Sequence, residues 1–548
     1  MVASLLSLTS CYDDESTLAT RTLPDVAIST ADEATTFYVG YLEDLDITPS
    51  VTRSDGDNED GLSYLWEITE EPKDNDPEWI TLGEERDLHA TITNDISTQP
   101  YYLRLTVTDT KNSDLQYTKL WKVVVQSAFL DGIVVSDTKD DKTSDLNLIM
   151  SKNLTVNYGD KADKVSYGIL SKANGEPFDQ LMTSLSYKSQ GNVVLTHVNN
   201  LFAVTSEGDA AVFNTEKYSQ TARLTTGGLV TYLPEGLKVV NIFSANQLLY
   251  MNTNQYIYSV NGINYSNFGW YDASASQYTI DNGVVMAATS FDVYDQIVMW
   301  YDADKGAFVY ESGSTLTSYG TDLAANTFFD PANVPGLTAI AAGQTTDGNT
   351  PAFVMKDKTT GDYSIYTFVR YEEGEYEYEY DDDWNVTSIT TIKEEVPASA
   401  RMRYEIPAEG KSLLDEAVSV FFAVDQSILY VATAKAIYAI NFAGSTAIVN
   451  TTPVYTVSTG ASISKAKLYC QGTYMTDYSA VGKLDEGAAV EELELNKRAV
   501  MVAEQKGTYE GSVSVVPMTQ IGTGKLDATK ALTYTGFGKI LDFCTTGY

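Results

Sequence analysis

Histidine is almost missing from this chain, with two in 548 residues. No His-Glu-x-x-His run exists, which excludes the helix-borne zinc site of a zincin. A serine triad would have to draw on His89 or His197, and no Gly-x-Ser-x-Gly turn is present to carry its nucleophile. His89 falls within the predicted sandwich and His197 in a strand-like run, and each reads as an ordinary packed or surface residue. Bases are scarce as well: 36 Lys and Arg stand against 75 acids, a net charge of −39. So negative a chain is unsuited to nucleic acid, where basic patches supply affinity. It gains nothing from anionic lipid headgroups either, and its charge suits solubility at a crowded surface. Three cysteines are too few for a disulfide framework. No stretch of about 18 apolar residues offers a membrane-spanning helix.

What is abundant is strand and turn chemistry. Tyr outnumbers Phe 38 to 18, and hydrophobic residues make up 43% of the chain, enough for a core. The first cysteine closes Leu8-Thr9-Ser10-Cys11, an apolar residue and two small ones before the thiol, and Tyr12-Asp13-Asp14-Glu15-Ser16 follows. This run resembles the lipobox of bacterial lipoproteins, and the acidic followers resemble the surface-export signal of Bacteroidetes lipoproteins. The resemblance implies that residues 1–11 are a signal remnant, that Cys11 is lipidated, and that the chain hangs outside the cell from the outer membrane. Several acyl chains on one cysteine anchor stably, at roughly 0.8 kcal/mol per buried methylene. The apolar stretch before Cys11 is short and no base precedes it, which points to a start further upstream. Cys470 and Cys544 remain, either bridged or as buried thiols.

Residues 12–30 show no periodicity and read as a flexible tether. From 31 to 127, short alternating runs predict one β-sandwich of immunoglobulin type. Tyr64, Trp66 and Ile68 share a strand face, Tyr101 to Asp109 alternates cleanly, and Leu120 to Val125 closes the domain. The segment resembles the PKD-like domains of Bacteroidetes lipoproteins, with Trp66-Glu67-Ile68-Thr69 in place of the usual Trp-Asp-Phe-Gly-Asp-Gly motif.

Residues 128–548 contain repeats. Gln247 to Asn261 and Ser427 to Asn441 match at Leu249/Leu429, Tyr250/Tyr430, Thr253/Thr433, Ile257/Ile437, Tyr258/Tyr438 and Asn261/Asn441. Each copy is a strand, a polar turn and a strand. Weaker relatives lie at Gly132 to Met150, Leu201 to Phe213, Ile297 to Tyr310, Phe353 to Tyr366 and Ala499 to Val515. About seven such units predict an all-β chain in which the sandwich precedes a β-propeller, with the run Gly538 to Phe543 locking the first blade.

Two segments stand out for chemistry. Asp55-Gly56-Asp57-Asn58-Glu59-Asp60-Gly61 is rich in oxygen ligands and makes calcium possible, although its glycines do not follow an EF-hand loop. Tyr371 to Asn385 alternates acids with aromatics, which places Tyr376, Tyr378 and Tyr380 on one strand face beside Trp384. With Thr387 to Glu394 returning, a projecting hairpin is predicted. Its aromatics would stack on sugars, contact a partner protein, or pack on the flank of a blade.

A lipid-anchored PKD-like domain ahead of a propeller-like region resembles a group of Bacteroidetes surface lipoproteins that accompany SusC/SusD-type importers. The resemblance implies a non-catalytic accessory subunit, without cofactor, that binds or presents peptide or glycan substrate. The alternative is a surface glycan hydrolase of propeller fold, whose two carboxylates cannot be chosen among 75 acids.

Overall fold

The computed structural model describes residues 23–31, 33–56, 59–70, 77–129, 131–156, 158–191, 197–230, 233–245, 248–255, 257–261, 271–272, 279–287, 296–312, 315–319, 328–346, 348, 350–381, 384–471 and 492–547. It is all-β and divides into two compact units, Met1–Ala128 and Phe129–Tyr548. Cys11 lies outside the described residues.

The first unit is built on a five-stranded sheet. Its order is Thr36–Gly40, Leu115–Gln126, Tyr101–Asp109, Leu62–Thr69 and Ile80–Gly83. Alternation dictates the buried face: Tyr101, Leu103, Leu105 and Val107 point inward, as do Trp121, Val123 and Val125. Trp66 stacks on Trp121 with ring centroids 5.6 Å apart. Its indole N–H donates to the Glu85 carbonyl at 3.1 Å, so the buried ring leaves no polar atom unpaired. Two two-stranded sheets complete the unit, Val26–Thr30 with Pro49–Arg53 and Asp44–Ile47 with Leu88–Thr91. Val26–Thr30 therefore adds a strand inside the stretch read as tether. Only five residues long and rich in Ser and Thr, it carries too little periodicity to be seen in sequence.

The second unit is a succession of seven antiparallel sheets of four or five strands, each sheet open. Six begin with the strands Met182–Gly191, Val239–Ala245, Ile280–Ala287, Leu337–Thr345, Ala417–Phe422 and Ser462–Leu468. The remaining sheet joins the two ends of the unit: Lys539–Thr545 pairs with Ile133–Thr138. Each of these leading strands touches the next, and Ser462–Leu468 returns to Lys539–Thr545, which touches Met182–Gly191. The cores lie between consecutive sheets. Phe202, Val212, Leu249 and Met251 fill one, and Val354, Ile365, Leu429 and Ile440 another.

The repeat has a physical basis. Tyr250 and Tyr430 are both fully buried in the second strand of their sheets. Each stacks on a phenylalanine of the strand before it, Phe243 at 5.1 Å and Phe421 at 5.4 Å. All seven leading strands also break register once near the same end, for example between Val239 and Asn241, and between Ala417 and Ser419. A bulge bends its strand and sharpens the twist. Val240 and Val418 are the extra residues of two bulges, and both are exposed.

One buried acid makes the second unit sensitive to pH. Glu311 is 4% exposed among apolar residues between the third and fourth sheets. Burial pushes its carboxyl up to about 7 from the ordinary 4.5. The Tyr250 hydroxyl lies beside it without closing a well-formed hydrogen bond and offsets only part of that penalty. The folded chain thus holds a proton that the unfolded chain has released, and stability falls as pH rises from 4.5 to about 7. Glu311→Gln is expected to remove a slope of about 1 kcal/mol per pH unit in that window. Unfolding midpoints measured from pH 4 to 8 read it; an unchanged slope would refute the assignment.

Candidate binding surface

The fifth sheet carries the features on which recognition can be built. Its third and fourth strands, Tyr363–Val369 and Ser399–Glu405, pair directly, and the chain between them leaves the sheet as a hairpin of Glu375–Tyr380 and Val386–Lys393. Glu372 anchors the base through backbone hydrogen bonds with Val396, and pairs with Lys393 at 3.2 Å and Arg370 at 3.5 Å. Tyr371 stacks on Tyr310 of the fourth sheet at 6.4 Å. At the tip, an Asp381 carboxylate oxygen accepts the Asn385 backbone N–H at 2.8 Å. That turn holds Trp384 at φ 62, a left-handed conformation uncommon for a bulky residue.

Facing pairs fix the two faces of the ladder. Tyr376 opposes Thr391, Tyr378 opposes Ile389 and Tyr380 opposes Val386; Glu377 and Glu379 oppose Thr390 and Ser388. One face is therefore aromatic and aliphatic, the other acidic. Tyr376, Tyr378 and Tyr380 are 41%, 45% and 52% exposed, and Trp384 is 82% exposed. Three of the rings follow one another, with Tyr378 6.4 Å from Tyr380 and Tyr380 6.0 Å from Trp384. The four residues singled out in sequence lie together on this hairpin, and none of them is buried. A two-stranded hairpin buries little surface of its own, so its base, tip and cross-strand pairs must hold it.

At the opposite end of the same sheet is a cleft of about 470 Å³ lined by Tyr363, Tyr366, Arg403, Asp357, Asp362 and Glu405. Sequence gave no sign of it, because its third and fourth strands are separated by the inserted hairpin. Two of its three acids are engaged by short hydrogen bonds or ion pairs, and the third, Glu405, lies 3.7 Å from Arg403. Asp357 accepts the Thr360 and Thr359 backbone N–H groups, and Asp362 pairs with Lys411 at 2.8 Å. These partners hold both carboxyls below the ordinary range. A glycosidase needs one carboxylic acid protonated near neutrality, and neither of these supplies it.

Elsewhere the chemistry is structural. Cys470 and Cys544 are unpaired, and burial pushes their thiols up to about 11 and about 12, which makes poor nucleophiles. His89 pairs across strands with Asp46, and His197 opens the strand His197–Thr205. In the acidic loop, Asp55 pairs with Arg53, Glu59 with Arg86 and Asp60 with Lys111, each with a separate cation. Asp57 and Asn58 lie outside the described residues. No cluster of three His, Cys, Asp or Glu side chains fit for a metal occurs among the described residues.

Together these features define an all-β protein with an exposed aromatic surface. Residues 11–180 match the PKD-like family, so this stretch carries a PKD-like domain. The match runs past Ala128 into the first strands of the second unit. No curated protein matches the chain. Among solved structures, it is similar to BBS1N in complex with ARL6DN, soaked with lead, at 9% identity and a TM-score of 0.30, over 62% of this chain and 78% of that one. A mercury-soaked crystal of the same complex gives 7% identity and a TM-score of 0.32, over 73% and 95%. Likeness at that level carries no argument about this chain.

Proposed function

We propose that this chain is a surface lipoprotein of the outer membrane, anchored through Cys11, that serves as a non-catalytic binding subunit of a SusC/SusD-type importer of peptide or glycan. In this reading the seven sheets are blades of a β-propeller. Support comes from leading strands that contact one another in sequence order and from a C-terminal strand that completes the first sheet. The observation that carries the binding role is the hairpin on which Tyr376, Tyr378, Tyr380 and Trp384 are exposed, the last three with their rings in succession. Solvent-exposed apolar surface of this kind marks a contact site. Against the hydrolase reading stand two acids of the cleft, Asp357 and Asp362, which are engaged by partners and held below the ordinary range.

The test is a native pull-down from outer membranes with a tagged chain, run beside a variant in which residues 373–394 are replaced by a short glycine-serine turn. Co-purification of a SusC/SusD-type pair with the intact chain, reduced at least about tenfold in the variant, is the expected result. Recovery of the intact chain alone would sink the importer reading.

A further inference from the structure

We infer that the hairpin Glu375–Tyr380/Val386–Lys393 takes up an extended polypeptide segment of alternating basic and apolar residues, added as a third strand along the free edge of Glu375–Tyr380. The inference rests on the reading of this hairpin as a contact surface and names the chemistry of its occupant.

Three observations lead there. Among the described residues the hairpin is a sheet of two strands, so each strand keeps an outer edge of N–H and C=O groups with no ladder partner there. Such an edge is a template for another strand unless something blunts it. Natural sheets do so with short strands, charges, proline, bulges or a covering loop; here the register breaks fall at the two ends, Glu375/Tyr376 and Glu379/Tyr380, and the charges are all of one sign, which repels an acidic strand and admits a basic one. Second, the two faces differ in chemistry at a period of two. An added strand would meet a row of carboxylates with one set of side chains and a row of rings with the other. Third, the charge is one-sided. Between Tyr371 and Val396 ten acids stand against one base, Lys393, and that base is already paired with Glu372. Among the described residues Glu377 and Glu379 face Thr390 and Ser388 and have no cation opposite, whereas Glu375 faces Lys393.

The charge decides the occupant. A second copy of the hairpin would set acids opposite acids, which is destabilising. A neutral glycan would use the rings and leave the carboxylate row unmatched. A strand with Lys or Arg at every other position neutralises that row, and its apolar residues cover the tyrosines. Trp384, beside the Tyr380 ring, reports the event.

The experiment titrates the full chain with an eight-residue capped peptide of alternating lysine and valine and follows tryptophan fluorescence, with Trp384→Phe as the control that removes the signal. Comparison peptides are the glutamate-valine counterpart and a lysine-valine peptide N-methylated at every other amide, which keeps the charge but cannot pair along that edge. Strand addition predicts saturable binding of the first peptide, at least about tenfold weaker binding of the methylated one, and none of the acidic one. Glu377→Lys with Glu379→Lys, at exposed positions that leave the fold intact, should weaken binding at least about tenfold.

Equal affinity for the methylated peptide would overturn the proposal in favour of plain charge attraction. A fluorescence change with maltoheptaose but none with the peptide would overturn it in favour of sugar stacking. Failure of the titration while importer proteins still co-purify removes this inference alone. Failure of co-purification while the peptide binds removes the importer reading alone.

Discussion

Trp66→Ala is expected to cost the first unit about 4 kcal/mol, the range for emptying a large aromatic site in a packed core. The indole is fully buried on the central sheet and stacks on Trp121. Truncation opens a hole that two rigid sheet layers cannot collapse to fill, and it leaves the Glu85 and Arg86 carbonyls without their donor. Hydrogen exchange followed by mass spectrometry checks this. Peptides from Tyr101–Asp109 and Leu115–Gln126 should lose most of their protection, whereas Trp66→Phe should keep more than half of the lost stability. Full protection in Trp66→Ala would mean that the stack is not the centre of this core.

Asp542→Ala is expected to cost the second unit about 3 kcal/mol, toward the low end for breaking a buried ion pair because its lysines can partly rehydrate. Asp542 is 1% exposed on the strand Lys539–Thr545. One carboxylate oxygen pairs with Lys467 at 2.6 Å and Lys465 at 2.8 Å, both from the strand Ser462–Leu468. The other accepts the Leu185 backbone N–H at 2.7 Å, from the strand Met182–Gly191. One side chain thus ties together the sheets on both sides of the closure. Burial pushes its carboxyl up, but Lys467 and Lys465 outweigh burial and hold it below the ordinary 3.8. Its contribution is therefore present above the unfolded value and lost as pH falls through the lower folded one. The unfolding midpoint of the wild type should drop on acidification below about pH 4, and Asp542→Ala should lack that component. Asp542→Asn keeps an acceptor for Leu185 and should lie between the two. A wild-type midpoint matched by both variants would show that the closure does not depend on this carboxylate.

What the sequence displays and what it hides follow from how far each interaction reaches. Period-two burial is local, so the strands around Trp66 and the matched hairpins at Tyr250 and Tyr430 are legible in a window of a dozen residues. The inserted hairpin is legible for the same reason: its alternation of acid and ring is written in consecutive positions. The anchor at Asp542 is not, because Leu185 lies 357 positions away and only the fold makes them neighbours. The bulges are equally silent, since an extra residue in a strand leaves composition and pattern almost unchanged. The cleft at Arg403 depends on two strands with a hairpin inserted between them, and Glu311 looks like any other acid until its surroundings are known.

The pairing of Ile133–Thr138 with Lys539–Thr545 sets a timetable for synthesis. Gly132 and Thr546, which hydrogen-bond beside this pairing, are 414 positions apart. At about 5–20 residues per second, the later strand is synthesised roughly 20 to 80 s after the earlier one. Until its partner pairs with it, Ile133–Thr138, buried along its whole length in the finished protein, keeps one backbone edge open to any other strand it meets. The pairing of Lys539–Thr545 therefore ends a period of vulnerability that began with one of the first strands of its unit.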